Sequence, residues 1–212
     1  MTMKPLRLGI LISGRGSNMQ ALINACQRDD FPASVSCVIS NKSNANGLIL
    51  AQQSNIKTFI VQGRPLDFDA IDNILEEHEV DLICLAGFMS IVPEKFINKW
   101  LYKVINIHPS LLPSFKGLNA QAQALKAGVK IAGCTVHYVY PEVDGGPIIV
   151  QAAVPVFSSD SVEDLANRIL KMEHICYPKA VELIAYNQLQ LNGSLALSAK
   201  TLHMFYNDEA FV

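Results

Sequence analysis

The chain has 212 residues, half of them hydrophobic, which suits one α/β domain with a sizeable core. A formal net charge of -2 excludes the basic footprint of a nucleic-acid binder, and no long block of like charge marks a disordered tail. No apolar run is long enough to span a bilayer, and the run Leu6–Ile12 is too short, and lacks the small-residue cleavage site, for a signal peptide.

In chain order, Leu6–Ile12 reads as a buried first strand and Asn18–Gln27 as a helix. Val35–Ser40 is a second strand, bounded by the turn-rich Asn41–Asn46. Gly47–Ser54 is helical, Thr58–Val61 a short strand, and Phe68–His78 an amphipathic helix with Ile71, Ile74 and Leu75 on one face. Asp81–Ala86 and Val104–Ile107 are continuous apolar strands. Gln121–Ala127 is helical and stops at Gly128. Cys134–Val139 and Pro147–Val156 read as strands around Pro141–Gly146, and Val162–Tyr186 as one long helix. Gln188–Leu202 carries an Asn-Gly hairpin signal, and Ser198–Val212 carries no motif.

Strands apolar on both faces, alternating with helices, predict a Rossmann-like α/β fold. Its sheet is mostly parallel and twisted, with helices on both faces and mixed strands in the C-terminal half. Such sheets bind ligands beyond the carboxyl ends of their strands. The expected organisation is a single domain over 1–212: a phosphate-binding half at 1–100, a catalytic half at 101–190, and a hairpin and tail at 191–212.

Ser13-Gly14-Arg15-Gly16-Ser17-Asn18 follows the first strand and opens a helix. Glycines there let backbone N–H groups meet an anion, and the helix N-terminus adds partial positive charge. Met19 stands where a dinucleotide fingerprint wants its third glycine, and strand two ends in Ser40-Asn41 without an acidic residue. A single phosphate fits better than a dinucleotide; the alternative is a plain tight turn with Ser17 or Asn18 as helix cap.

Asn106 and His108 stand two apart at a strand's end, so they share one face, and Pro109 stops the ladder. Glu142-Val143-Asp144-Gly145-Gly146-Pro147 places a carboxylate on a sharp turn. The five cysteines show no C-x-x-C spacing and no zinc-ligand clustering, so they read as small buried residues of a reducing cytosol.

These segments carry a resemblance. Ile12-Ser13-Gly14-x-Gly16-Ser17-Asn18, Leu85-Ala86-Gly87-Phe88-Met89, Asn106-Ile107-His108-Pro109-Ser110-Leu111-Leu112-Pro113, Gly133-x-Thr135-Val136-His137, Asp144-Gly145-Gly146-Pro147 and Glu173-His174-x-x-Tyr177-Pro178 resemble the phosphoribosylglycinamide formyltransferase family of purine synthesis. The likeness runs through roughly the first nine-tenths of the chain.

The resemblance implies a cytoplasmic enzyme, monomer or homodimer, that moves a formyl group from the co-substrate 10-formyltetrahydrofolate to the amine of phosphoribosylglycinamide, without a metal. By it, Asn106, His108 and Asp144 are catalytic: Asn106 gives an amide donor, His108 donates or passes a proton, and Asp144 favours the protonated imidazole. Gly16, Ser17 and Asn18 would hold the phosphate; Gly87, Met89 and Pro109 would line the glycinamide arm. Glu173 would take the ribose hydroxyls, with Lys171 beside it; a solvated helix face is the alternative for Glu173. Met89, Ser90, Ile91, Val92 and Asn106 would meet the folate, together with Tyr140, Pro141, Glu142, Val143 and Asp144. His137 either faces the site or is a satisfied core histidine.

Some positions depart from the commoner pattern. Ser90 stands in place of arginine, Lys116 where Pro-Gly is common, Asn119 and Gln121 in place of histidines, and Leu170 in place of a polar residue. Phe115-Lys116-Gly117 also resembles formyltetrahydrofolate deformylases, the rival reading. The missing acidic residue after strand two disfavours an oxidoreductase. A non-catalytic phosphosugar-binding module would tolerate loss of His108.

Overall fold

The computed structural model describes residues 4–187 and the strands Leu189–Asn192 and Leu195–Ser198. A seven-stranded sheet runs in the order β3-β2-β1-β4-β5-β6-β7. Its strands are β1 Leu6–Ile12, β2 Ala33–Ser40, β3 Lys57–Ile60, β4 Leu82–Leu85, β5 Val104–His108, β6 Ile131–Tyr138 and β7 Ile148–Pro155. The fold is α/β with a mostly parallel sheet, as the alternation of apolar runs and helices predicts. The chain divides after Asn106 into two compact units.

In the first unit, β1 pairs in parallel with β2 and β4, β2 with β3, and β4 with β5. Leu8, Ile10, Leu11, Ile12, Val38, Ile39, Ile83 and Cys84 are fully buried. Strands covered on both faces have no polar side to alternate with, hence their unbroken apolar runs. Helices α1 Ser17–Cys26, α2 Asn46–Gln53, α3 Phe68–Glu77 and α4 Glu94–Lys99 complete this unit. Asp67 caps α3 by accepting the Ala70 N–H at 2.9 Å, and Ile71 and Leu75 bury its apolar face. The sequence reading misses α4, because six residues are too few turns for a helical period to show.

In the second unit, β6 and β7 form an antiparallel pair. Helix α6, Val162–Ala185, packs on both of them through Leu165, Ile169, Cys176, Tyr177, Ala180 and Val181, and α5 is Ala120–Ala127. A reciprocal capping box between Ser161 and Asp164 starts α6. Strands β8 Leu189–Asn192 and β9 Leu195–Ser198 pair antiparallel, as the hairpin signal predicts, while Gly193 and residues 199–212 lie outside the described residues. All five cysteines are free, and burial pushes the Cys26 and Cys37 thiols up to about 12.

Candidate functional site

In the first unit the candidate residues follow the ends of β1 and β4. Gly16 caps α1 from the left-handed region, φ 79°, and no side chain caps the helix. That removes the reading in which Ser17 or Asn18 is the cap; both lie inside the first turn, where backbone N–H groups have no partner within the helix. Packing gives Gly16 a second reason: a Cβ there would stand 2.7 Å from the Gly47 Cα. The Gly47 N–H in turn donates to the Gly14 carbonyl at 3.0 Å, so the loop is held against the start of α2.

The segment after β4 is anchored at two points. Buried Ser13 accepts the Met89 N–H on its Oγ at 2.7 Å, and the Asn41 amide donates to Ser90 Oγ at 3.1 Å. Neither Ser13 nor Asn41 has a role in the sequence reading, although Ser13 stands in the glycine-loop motif. Gly87 adopts φ 71° and is exposed, Met89 and Ile91 are exposed, and Ser90 and Val92 are half-buried.

On β5, Asn106 is half-buried and His108 buried, and their alternate positions put both on one face of the strand. In the second unit, His108 Nδ1 lies 3.4 Å from Asp144 Oδ2, both side chains at least nine-tenths buried. His108 Nε2 lies 2.9 Å from the Phe115 carbonyl oxygen. Both ring nitrogens of His108 thus face acceptor oxygens, one a carboxylate and one a backbone carbonyl.

Asp144 sits at φ 50°, a left-handed position that aspartate tolerates better than most residues, and its Oδ2 also accepts the Gly117 N–H at 2.8 Å. His137 is the third member of this cluster. Its Nδ1 lies 2.8 Å from the Tyr138 carbonyl oxygen, and its Nε2 lies 3.7 Å from Asp144 Oδ1, beyond hydrogen-bond range. Burial lowers its pKa, against the smaller opposing pull of the Tyr138 carbonyl and Asp144. So His137 faces the cluster and is a satisfied buried histidine as well: the two readings of its sequence position are not alternatives.

The segment after His108 is fixed from β6 and β7. Thr135 Oγ1 donates to the Ser110 carbonyl at 2.6 Å and accepts the Leu112 N–H at 3.0 Å. Gln151 donates to the Leu112 carbonyl and to Thr135 Oγ1, and Ser110 Oγ donates to the Ser114 carbonyl. Thr135 and Gln151 are absent from the sequence-predicted site. Thr135 lies in a quoted motif, yet nothing in a one-dimensional pattern shows which loop a strand hydroxyl will meet.

Lys116 Nζ bridges to Glu142 Oε1 at 2.7 Å, clasping the loop before α5 to the turn that carries Asp144. Along that turn Tyr140 is half-buried and Pro141, Glu142 and Val143 are exposed. Pro109 is half-buried, Lys171 exposed and Glu173 buried on the β6-facing side of α6; the Cys134 thiol there is pushed up by its contact with Cys176 and by burial, with a smaller push from the Glu173 charge. Glu173 is therefore no solvated helix face. Among the described residues no group of three His, Cys, Asp or Glu side chains could hold a metal ion.

The chain belongs to the formyl transferase family, whose model matches residues 6–181. Within that family it is similar to the phosphoribosylglycinamide formyltransferase of Haemophilus influenzae, 42% identical over 92% of this chain and 95% of the relative. A crystal structure of phosphoribosylglycinamide formyltransferase from Anaplasma phagocytophilum is 58% identical, with a TM-score of 0.90 over 95% of this chain and 98% of that one. The trifunctional purine biosynthetic protein adenosine-3 of Homo sapiens is 47% identical over 91% of this chain, which spans about a fifth of that relative's length. A formyltetrahydrofolate deformylase from Pseudomonas syringae has the same fold, TM-score 0.87, at 27% identity and over 67% of its own length.

Proposed function

We propose that this chain transfers a formyl group from 10-formyltetrahydrofolate to the amine of phosphoribosylglycinamide, a step of de novo purine synthesis. The observation that carries the chemistry is the buried pair His108–Asp144, 3.4 Å apart. The amine nitrogen bonds to the formyl carbon and the carbonyl oxygen becomes an oxyanion. The bond from that carbon to the folate nitrogen then breaks, and the proton shed by the amine ends on the leaving nitrogen.

Asn106 and His108 donate to the oxyanion, and Asp144, 3.4 Å from His108 Nδ1, orients the imidazole. For an N–H of His108 to reach the oxyanion, its contact with Asp144 or with the Phe115 carbonyl must be exchanged. The reaction is written with side chains alone, without a metal. Burial disfavours the charged form of His137.

Gly16, Ser17 and Asn18 take the phosphate, the uncapped first turn of α1 being the support for that role. Gly87, Met89, Pro109, Lys171 and Glu173 take the rest of the sugar phosphate, and Glu173 can accept two hydroxyls on one buried carboxylate. Met89, Ser90, Ile91, Val92, Asn106 and the turn Tyr140–Asp144 take the folate. We place the enzyme in the cytoplasm, as monomer or homodimer.

The deciding experiment follows the absorbance of 10-formyl-5,8-dideazafolate with and without phosphoribosylglycinamide. Deformylation only in the presence of the ribonucleotide supports the transferase. Donor loss to water alone would make the chain a deformylase, and no turnover in either tube a binding module.

A further inference from the structure

Asn41 ends β2 in an unusual state: its Nδ2 donates to Ser90 Oγ at 3.1 Å, while its Oδ1 is buried with no hydrogen-bond partner. A buried orphan acceptor is costly and calls for a reason beyond packing. The residue is also held rigidly. Ser40 Oγ donates to the Lys42 carbonyl at 2.8 Å and accepts the Lys42 N–H at 3.1 Å, which fixes the turn on which Asn41 stands. Since Ser13 holds the Met89 N–H at 2.7 Å, the Met89–Ser90 segment has one anchor at its backbone and one at a side chain.

The side-chain anchor has a direction. A serine hydroxyl has one O–H donor and two lone pairs, and the Asn41 amide fills a lone pair. The Ser90 O–H is then left to donate elsewhere, on a half-buried residue next to exposed Met89 and Ile91. We infer that Asn41 is a positioning residue for the formyl donor: its amide turns the Ser90 hydroxyl outward, so that Ser90 donates to an oxygen of the bound folate. The inference deepens the proposed function and rests on Ser90 being part of the folate site.

Asn41→Asp tests it, because the side chain keeps its size but becomes an acceptor. Ser90 O–H then bonds inward to the carboxylate and its donor is withdrawn from the ligand. Dissociation constants for 5,8-dideazafolate are measured by calorimetry on wild type, N41D, S90A and the double variant, with KM and kcat for 10-formyl-5,8-dideazafolate and thermal midpoints alongside.

The expected result is a five- to tenfold weaker dissociation constant and a matching rise in KM for N41D and S90A alike, as for one lost neutral hydrogen bond. The kcat stays within twofold, KM for the ribonucleotide is unmoved, and the double variant is no worse than S90A. N41D that binds the folate normally, or that weakens it further in the S90A background, overturns the inference while wild-type turnover leaves the transferase standing. A wild type that binds the folate analogue but fails to transfer formyl sinks the proposed function alone, since the binding series still reads Asn41.

Discussion

The two units hold their candidate groups in opposite ways. In the first, the loop after β1 opens into a helix start that no side chain caps, and Ser13 and Asn41 fix the segment after β4. In the second, a carboxylate, two histidines, a threonine and a glutamine are buried or half-buried, each hydrogen-bonded to a neighbouring backbone or side-chain group around β5, β6, β7 and their loops. A phosphate carries its charge wherever it goes, so a rigid backbone cradle suffices to bind it. A reaction that creates charge for an instant needs donors already held in place. The first unit should therefore be sensitive to backbone shape, and the second to single polar atoms.

Asp144→Asn is the sharpest break of that contrast. The amide keeps the size of the carboxylate and tolerates φ 50°, so the turn survives. What it loses is the charge facing His108 Nδ1. We expect kcat to fall about a hundredfold or more, with KM for both substrates and the thermal midpoint little changed. A drop below tenfold in a steady-state assay would remove Asp144 from the chemistry.

Gly16→Ala attacks the first unit where it is vulnerable. The new Cβ would stand 2.7 Å from the Gly47 Cα, a backbone atom that cannot swing aside, and at φ 79° alanine is strained besides. Unfolding in urea should show a loss of about 2–4 kcal/mol, with a raised KM for the ribonucleotide but not for the folate. Ser17→Ala, by contrast, should leave stability unchanged, since Ser17 does not cap the helix.

Thr135→Val keeps the shape of β6 and removes a hydroxyl that serves three partners. The Leu112 N–H loses its acceptor and the Ser110 carbonyl its donor. About 1–3 kcal/mol of stability should go. The kcat should fall about tenfold or less, because the segment after His108 is loosened rather than the reacting groups removed. Normal kcat with the stability loss would confine Thr135 to packing.

How much of this was legible in the sequence follows the same division. Continuous apolar runs mark β1 and β4 to within a residue, because both faces of those strands are buried. Asn106 and His108 could be read as sharing a face, since the strand period is fixed. Asp144 beside His108 comes only from the resemblance, and the remaining bonds around the pair could not be read. The Phe115 carbonyl, the Gly117 N–H and the Thr135 hydroxyl carry no sequence signature, because which backbone atoms meet a side chain depends on how the loops fold back. Glu173 shows the limit most plainly: the helical pattern alone leaves a solvated face open beside the ribose role that the resemblance implies, and only the packing of α6 on β6 puts the carboxylate inside.

The smallest expected effect concerns histidines that the chemistry does not use directly. Burial lowers the pKa of His137 and of half-buried His174, whose Nε2 has no hydrogen-bond partner. An unfolded histidine titrates near 6.5. Below that pH the unfolded chain takes up protons that the folded one refuses, so stability is full above about 6.5 and declines as pH falls toward the lower folded values. Asp81 and Asp160 act further down. The Arg7 and Arg168 guanidiniums hold their carboxyls below the ordinary 3.8, so their contribution persists until pH falls through the carboxylate range. Thermal midpoints should thus already decline between pH 7 and 5.5, above the range in which Asp81 and Asp160 lose their charge. His174→Leu removes one of the two titrations along with the orphan nitrogen, so it should hold or slightly raise the midpoint at pH 7 and flatten that decline. A slope unchanged in His174→Leu would remove His174 from that decline.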